Sequence, residues 1–144
     1  MPTNFSLVTL DIDALVFSMA ETREKANKLI DDFLLDKEIQ CARRFLFDFV
    51  MKKDKVSNTL FLAYAEVPSG TEGNKSSKVL ELKNHNYVQV RLSESEYQDL
   101  ILGKLDLNVG EYLKSKGLKI DISKVYGLVE VVGNCYNMYI PYKS

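Results

Sequence analysis

The sequence is poor in the residues on which metal and redox chemistry depend. Its 144 residues hold one histidine, two cysteines and no tryptophan. The histidine, His85, stands between Asn84 and Asn86 in a polar turn. One such side chain cannot assemble a zinc site or a Ser–His–Asp triad, and it is expected to be solvated. Cys41 and Cys135 are far apart with no Cys-x-x-Cys spacing, so they read as buried thiols of a reduced cytosolic protein. Cys135 lies beside a hairpin turn with no base placed to activate it, which argues against a nucleophile. Charge of one sign is also missing. Nineteen Lys and Arg against twenty Asp and Glu leave a net charge of −1, without the excess of basic charge that a nucleic-acid partner requires. No stretch approaches the roughly 18 apolar residues of a membrane span. The opening Met1-Pro2-Thr3-Asn4-Phe5 lacks the charged and apolar regions of a secretory leader, which places the expected chain in the cytoplasm. Gly70 and Gly73 are not followed by Lys-Ser/Thr, so no phosphate loop, and no cofactor, is implied.

What is present is an ordinary globular composition, 46% hydrophobic and 27% charged, in a chain long enough to bury a core as one domain, 1–144. Leu7 to Met19 is a β-type run, alternating at first and then more fully apolar. From Glu21 the period becomes helical, with Ala26, Leu29, Ile30, Phe33 and Leu34 on one face. Alternation returns at Phe45, Phe47, Phe49 and Met51, an expected core face. A lysine-rich turn at 52–55 leads to a strand over Thr59–Val67 that is apolar on both sides, as a central strand is. Pro68 to Ser77 is rich in Gly, Pro and Ser and reads as a linker with nothing to pack.

The second part repeats the order of the first. Val79–Leu82 and Tyr87–Leu92 carry β signal, and Ser93 and Glu96 have the spacing of a capping box that starts a helix. Gly103 and Gly110 predict a break near Leu105–Val109, and Gly117 a stop. Lys124–Val132 and Cys135–Tyr142 are strands joined by the tight turn Gly133-Asn134. The expected fold class is therefore α+β, two βαββ pseudo-repeats over 5–67 and 78–143 joined by the linker 68–77, with antiparallel sheets and helices packed on one side.

Among the side chains, Glu130 stands out. Alternation gives it Tyr126, Leu128 and Val132 as neighbours on one face, so a carboxylate sits among apolar groups. Burial there would be costly without a ligand cation or a fixed Lys or Arg. Glu66 is the candidate for a matching acid in the first half. Of eight tyrosines, seven fall after the linker. Tyrosine suits a half-exposed binding surface, being apolar along the ring and polar at its tip.

The strand Val125–Val132, a short turn and Tyr136–Lys143 resemble the ending of the GyrI-like family (a duplicated SHS2 module). There a strand carrying Glu-x-Tyr precedes a hairpin and a closing Ile-Tyr-Ile-Pro segment, whose place Met138-Tyr139-Ile140-Pro141 takes here. Tyr87–Tyr97 is similar to the family's passage from strand to helix, and Gly117-Leu118 to its helix exit. The resemblance implies a binding module that takes a small, often cationic or aromatic compound in a cleft between two halves, as the effector domains of multidrug-responsive regulators do. Some GyrI-like proteins are hydrolases, but catalysis needs a carboxylate beside an aromatic cage, of which only half is read here, so no catalysis is expected. The same resemblance assigns the charge to Glu130 and stacking to Tyr126, Tyr97 and Tyr139. The family's Glu-x-Tyr companion is Val132 in this chain, and no DNA-binding segment is read ahead of the module, so it is not expected to regulate transcription alone. A second resemblance, in size, layout and ending, is to small Gram-positive bacterial proteins that accompany LXG toxins of type VII secretion. It implies a cytosolic chaperone or adaptor for a protein client. The expected partner is thus a small molecule or a protein client, with homo- or hetero-oligomers open and neither nucleic acid nor membrane involved.

Overall fold

The computed structural model describes residues 5–40, 43–53, 56–82, 85–121, 123 and 127–144. Leu7–Met19, expected to run as one strand, forms two, β1 (Phe5–Thr9) and β2 (Ala14–Ala20). Leu10 and Ile12 are buried and Asp11 and Asp13 exposed, so the alternation continues through the break. Helix α1 (Arg23–Asp36) starts where the Thr22 hydroxyl accepts the Lys25 amide, 3.1 Å away, satisfying one orphan donor of the first turn. Its buried face is Ala26, Ile30, Phe33 and Leu34, as the periodicity predicts, with Leu29 at the edge of that face and half-buried. Strands β3 (Arg44–Lys53) and β4 (Val56–Val67) form a long hairpin, and β5 (Lys78–Glu81) and β6 (Asn86–Ser93) follow. At Ser93 the capping box is complete, and α2 (Glu94–Ile101) begins there. The expected break is present. Gly103 takes a positive φ of 78°, and α3 (Val109–Ser115) is a separate helix ended by Gly117, also left-handed. A two-residue strand, β7 (Lys119–Ile120), was not foreseen. Then come β8 (Leu128–Val132), a turn with Gly133 at φ 60°, and β9 (Cys135–Lys143). Cys41 lies outside the described residues, and Cys135 is a half-buried free thiol.

All strand pairings among the described residues are antiparallel, and the expected α+β class is the one observed. The chain forms two compact units, and they do not divide at the linker. One is Ile12–Lys83, the other Met1–Asp11 with Asn84–Ser144. In the first, the sheet order is β3-β4-β2-β5, so β4 is central as its two apolar faces predict. Small residues on β2 and β4 (Ala14, Val16, Ala63, Ala65) let α1 lie close, burying Ile30 and Phe33. Full burial of a side chain of that size contributes about 1.5–3 kcal/mol. Around this core Arg44 pairs with Asp31 at 2.7 Å, and Arg23 with Asp48. On the opposite face Phe17, Tyr64 and Phe45 make one rung across β2, β4 and β3.

The segment 68–77 is mostly exposed, as expected of a linker, but it is tied down by hydrogen bonds and by the buried Ser77. Glu81 accepts hydrogen bonds from Ser69 Oγ and the Gly70 amide, and Asn74 Oδ1 accepts from the Ser76 and Ser77 amides. Ser77 is buried against Ser18, with the hydroxyls 2.7 Å apart. Short polar side chains tie the turn to strands on either side of it in sequence, which composition alone does not reveal.

In the second unit the order is β1-β6-β9-β8, and β7 pairs with the last two residues of β9. Each unit thus holds a strand, helix, strand, strand core plus one edge strand from elsewhere in the chain. β5, after the linker, completes the first, and β1, at the start of the chain, completes the second.

Candidate functional site

Side-chain alternation divides the second unit's sheet into two chemically distinct faces. On β6, Val88, Val90 and Leu92 are fully buried on the side carrying the helices, where α2 packs against β6 and β9. Tyr87, Gln89 and Arg91 point the other way. Antiparallel register extends that second face into rungs. Arg91 on β6, Asn137 on β9 and Glu130 on β8 form one, and Gln89, Tyr139 and Leu128 the next. Tyr87 opposite Pro141 forms a third.

The Arg91–Asn137–Glu130 rung has a cation at one end, an amide in the middle and a carboxylate at the other. Arg91 Nε donates to Asn137 Oδ1 at 3.3 Å, and Asn137 is buried. Glu130 is half-buried and accepts a hydrogen bond from the Tyr139 hydroxyl at 3.4 Å. At that length the bond orients the carboxylate more than it binds it. Tyr139 is buried and meets Tyr87 edge to face, with ring centroids 6.3 Å apart. Tyr87 is only 1% exposed, and among the described residues its hydroxyl finds no hydrogen-bond partner. Burial pushes its phenol up to about 12, because the phenolate would be poorly solvated. What this face offers to solvent is therefore the half-buried Glu130 carboxylate and the exposed Arg91, with the two tyrosine rings buried beside them.

Of the four expected ligand contacts, Glu130 and Tyr139 are brought together. Tyr97 is not with them. It belongs to α2 on the helical side, fully buried and stacked on Tyr136 at 4.5 Å with planes 21° apart. Tyr136 and Tyr139 differ by an odd number of strand positions, so they face opposite sides. Tyr126 lies outside the described residues. Val132, which shares Glu130's face by alternation, is 44% exposed, whereas Leu128 is fully buried. Glu66 sits on β4, whose counterpart in the second unit is β9, so it is not the topological mate of Glu130 on β8.

Sequence reasoning missed Tyr87 as a site residue and misread His85. Tyr87 shares strand parity with Arg91, the signal that places it on the Glu130 face. His85 is not a free turn residue. Its Nε2 lies 3.3 Å from Asp121 Oδ2, and its ring meets Tyr87 edge to face. Ser123 donates to Asp121 from its side chain and its backbone, holding that carboxyl below its usual range, with Lys143 and His85 adding to the effect. Among the described residues no cluster of His, Cys, Asp and Glu could hold a metal ion, and no helix is long and apolar enough to cross a membrane.

No family model and no curated protein matches the chain. Solved structures do. The chain aligns with a hydrolase from Listeria innocua at a TM-score of 0.61 and 8% identity, covering 96% of this chain and 91% of that one. It aligns with the C-terminal domain of EcmrR at 0.54 and 7%, covering 100% and 99%. The fold is GyrI-like. An uncharacterized conserved protein from Listeria innocua shares it at a TM-score of 0.57 and 9% identity, over 96% and 92% of the two chains. At such low identity the GyrI-like likeness is one of architecture, and the chemistry of the site has to be argued from this chain's own residues.

Proposed function

We propose that this chain is a GyrI-like binding module that recognises a small organic cation bearing an aromatic group, with no bond made or broken. The observation that carries the reading is the half-buried Glu130 carboxylate, oriented by Tyr139 beside the Tyr87 ring on the sheet face away from the helices. A half-buried carboxylate suits a cation through its charge, and Tyr139, itself buried, holds that carboxylate in place. The rest of the rung consists of an amide and a guanidinium, neither of which exchanges protons readily near neutral pH. The GyrI-like architecture and the closing Met138-Tyr139-Ile140-Pro141 segment support the same reading.

Calorimetric titration with benzyltrimethylammonium tests it. Binding is expected to be saturable, to exceed that of the uncharged carbon analogue, and to weaken at least about tenfold in Glu130→Gln, as loss of a partly buried charge partner requires. Equal affinity for charged and uncharged probes, or for parent and variant, would refute the assignment of Glu130.

A further inference from the structure

The opposite face of the same sheet carries a groove that this function does not use. Met138 and Ile140 of β9, Ile120 of β7 and Leu100 of α2 line it, and its volume is about 470 Å³, within the range of small-molecule sites. Alternation along β9 puts Met138 and Ile140 on the far side of the sheet from Tyr139 and Glu130. The apolar floor is aliphatic. Ile120 is left 41% exposed in the groove, and Leu102, close by in sequence, is 61% exposed.

Two features specify an occupant. The first is charge. Asp106 and Glu111 belong to the lining, and among the described residues no Lys or Arg does. Lys119 adjoins Ile120 but points away from it by strand alternation. Asp106 accepts the Asn108 amide at 2.9 Å, so its carboxylate is held at the groove while it shapes the start of α3. The second is Gly110, in the first turn of α3. A Cβ there would meet nothing within 4 Å, so the chain's own packing does not call for a glycine at a position where alanine favours the helix. What the glycine leaves is open space at the groove.

We infer that this groove is a second binding site, for an aliphatic amine whose ammonium group faces Asp106 and Glu111 and whose alkyl chain lies over Met138, Ile140 and Ile120. Aliphatic walls offer dispersion and burial, and the two carboxylates select the cation over a neutral or acidic chain of equal length.

The test uses octylammonium, with octanol and octanoate as controls, followed through the Met138 methyl resonance of the full chain. Octylammonium is expected to shift that resonance saturably and to bind about fivefold more tightly than octanol, the scale two exposed carboxylates can supply. Asp106→Asn combined with Glu111→Gln should erase the preference, and benzyltrimethylammonium binding should survive in that variant. Ile120→Trp, at a surface position, should block octylammonium without unfolding the chain. Equal binding of octanol and octylammonium by the parent protein, which needs no variant, would overturn the inference. So would a Met138 resonance that does not move. Because the Glu130 site is read by a different probe, failure here is distinguishable from failure there.

Discussion

Tyr87 buries its whole ring yet leaves its hydroxyl without a partner among the described residues, and replacing it by Phe should raise stability. The ring volume is retained, so no cavity forms and the edge-to-face contacts with Tyr139 and His85 persist. What is removed is a buried polar group whose unsatisfied burial costs about 1–3 kcal/mol. A gain near 1 kcal/mol at neutral pH is expected, about 2–4 °C in Tm for a chain of this size. The pH dependence supplies an independent sign. The folded phenol titrates near 12 and the unfolded one near 10. Below pH 10 both states hold the proton and stability is unaffected. Between 10 and 12 the unfolded chain releases it more readily, so the parent loses about 1 kcal/mol per pH unit, up to roughly 3 kcal/mol. Tyr87→Phe lacks this loss. Urea unfolding followed by circular dichroism at pH 7.5, 9, 10 and 11 reads both effects, and the difference between the proteins cancels the other titrating groups. A variant less stable at pH 7.5, with the same alkaline decline as the parent, would show that the hydroxyl is well bonded and the reasoning wrong.

Two further outcomes follow from local chemistry. Ser93→Ala removes the side chain that accepts the Glu96 amide and should cost about 1 kcal/mol in urea unfolding, with the loss of hydrogen-exchange protection concentrated in α2. Asp121→Asn should flatten the acid limb of the stability profile. The folded carboxyl is depressed, so its contribution is present above the ordinary carboxylate range and is lost as pH falls through the lowered value. Urea midpoints from pH 5 to 2.5 should converge for parent and variant at the acid end.

The helices were legible because their signals are local. The face Ala26, Ile30, Phe33, Leu34, the capping box at Ser93 and the break after Gly103 each depend on residues within a few positions, and each is where the spacing puts it. Strand pairing depends on distant partners. Nothing near Phe5–Thr9 indicates that it pairs with Asn86–Val90, or that Lys78–Glu81 pairs with Ala14–Phe17, so the exchange of edge strands was invisible. The anchoring of loop 68–77 escaped for the same reason, since Ser77 finds Ser18 across 59 residues. At the site, Glu130 was legible as a strand carboxylate, but its rung holds Asn137 and Arg91, distant in sequence, where alternation along the strand suggested apolar neighbours; Tyr139 lies beside it. Tyr97 was misplaced because helix and strand residues were grouped by type rather than by the side of the sheet they cover. His85 was misread because its partner, Asp121, is distant in sequence and carries no motif.

The central claim is that a cation is held on the sheet face bearing Glu130. Amide shift mapping of the full chain during a titration with benzyltrimethylammonium tests it most directly. Saturable perturbations are expected at Glu130, Asn137, Tyr139 and Tyr87, and they should vanish in Glu130→Gln. Perturbations confined to other residues, or unchanged in that variant, would contradict it.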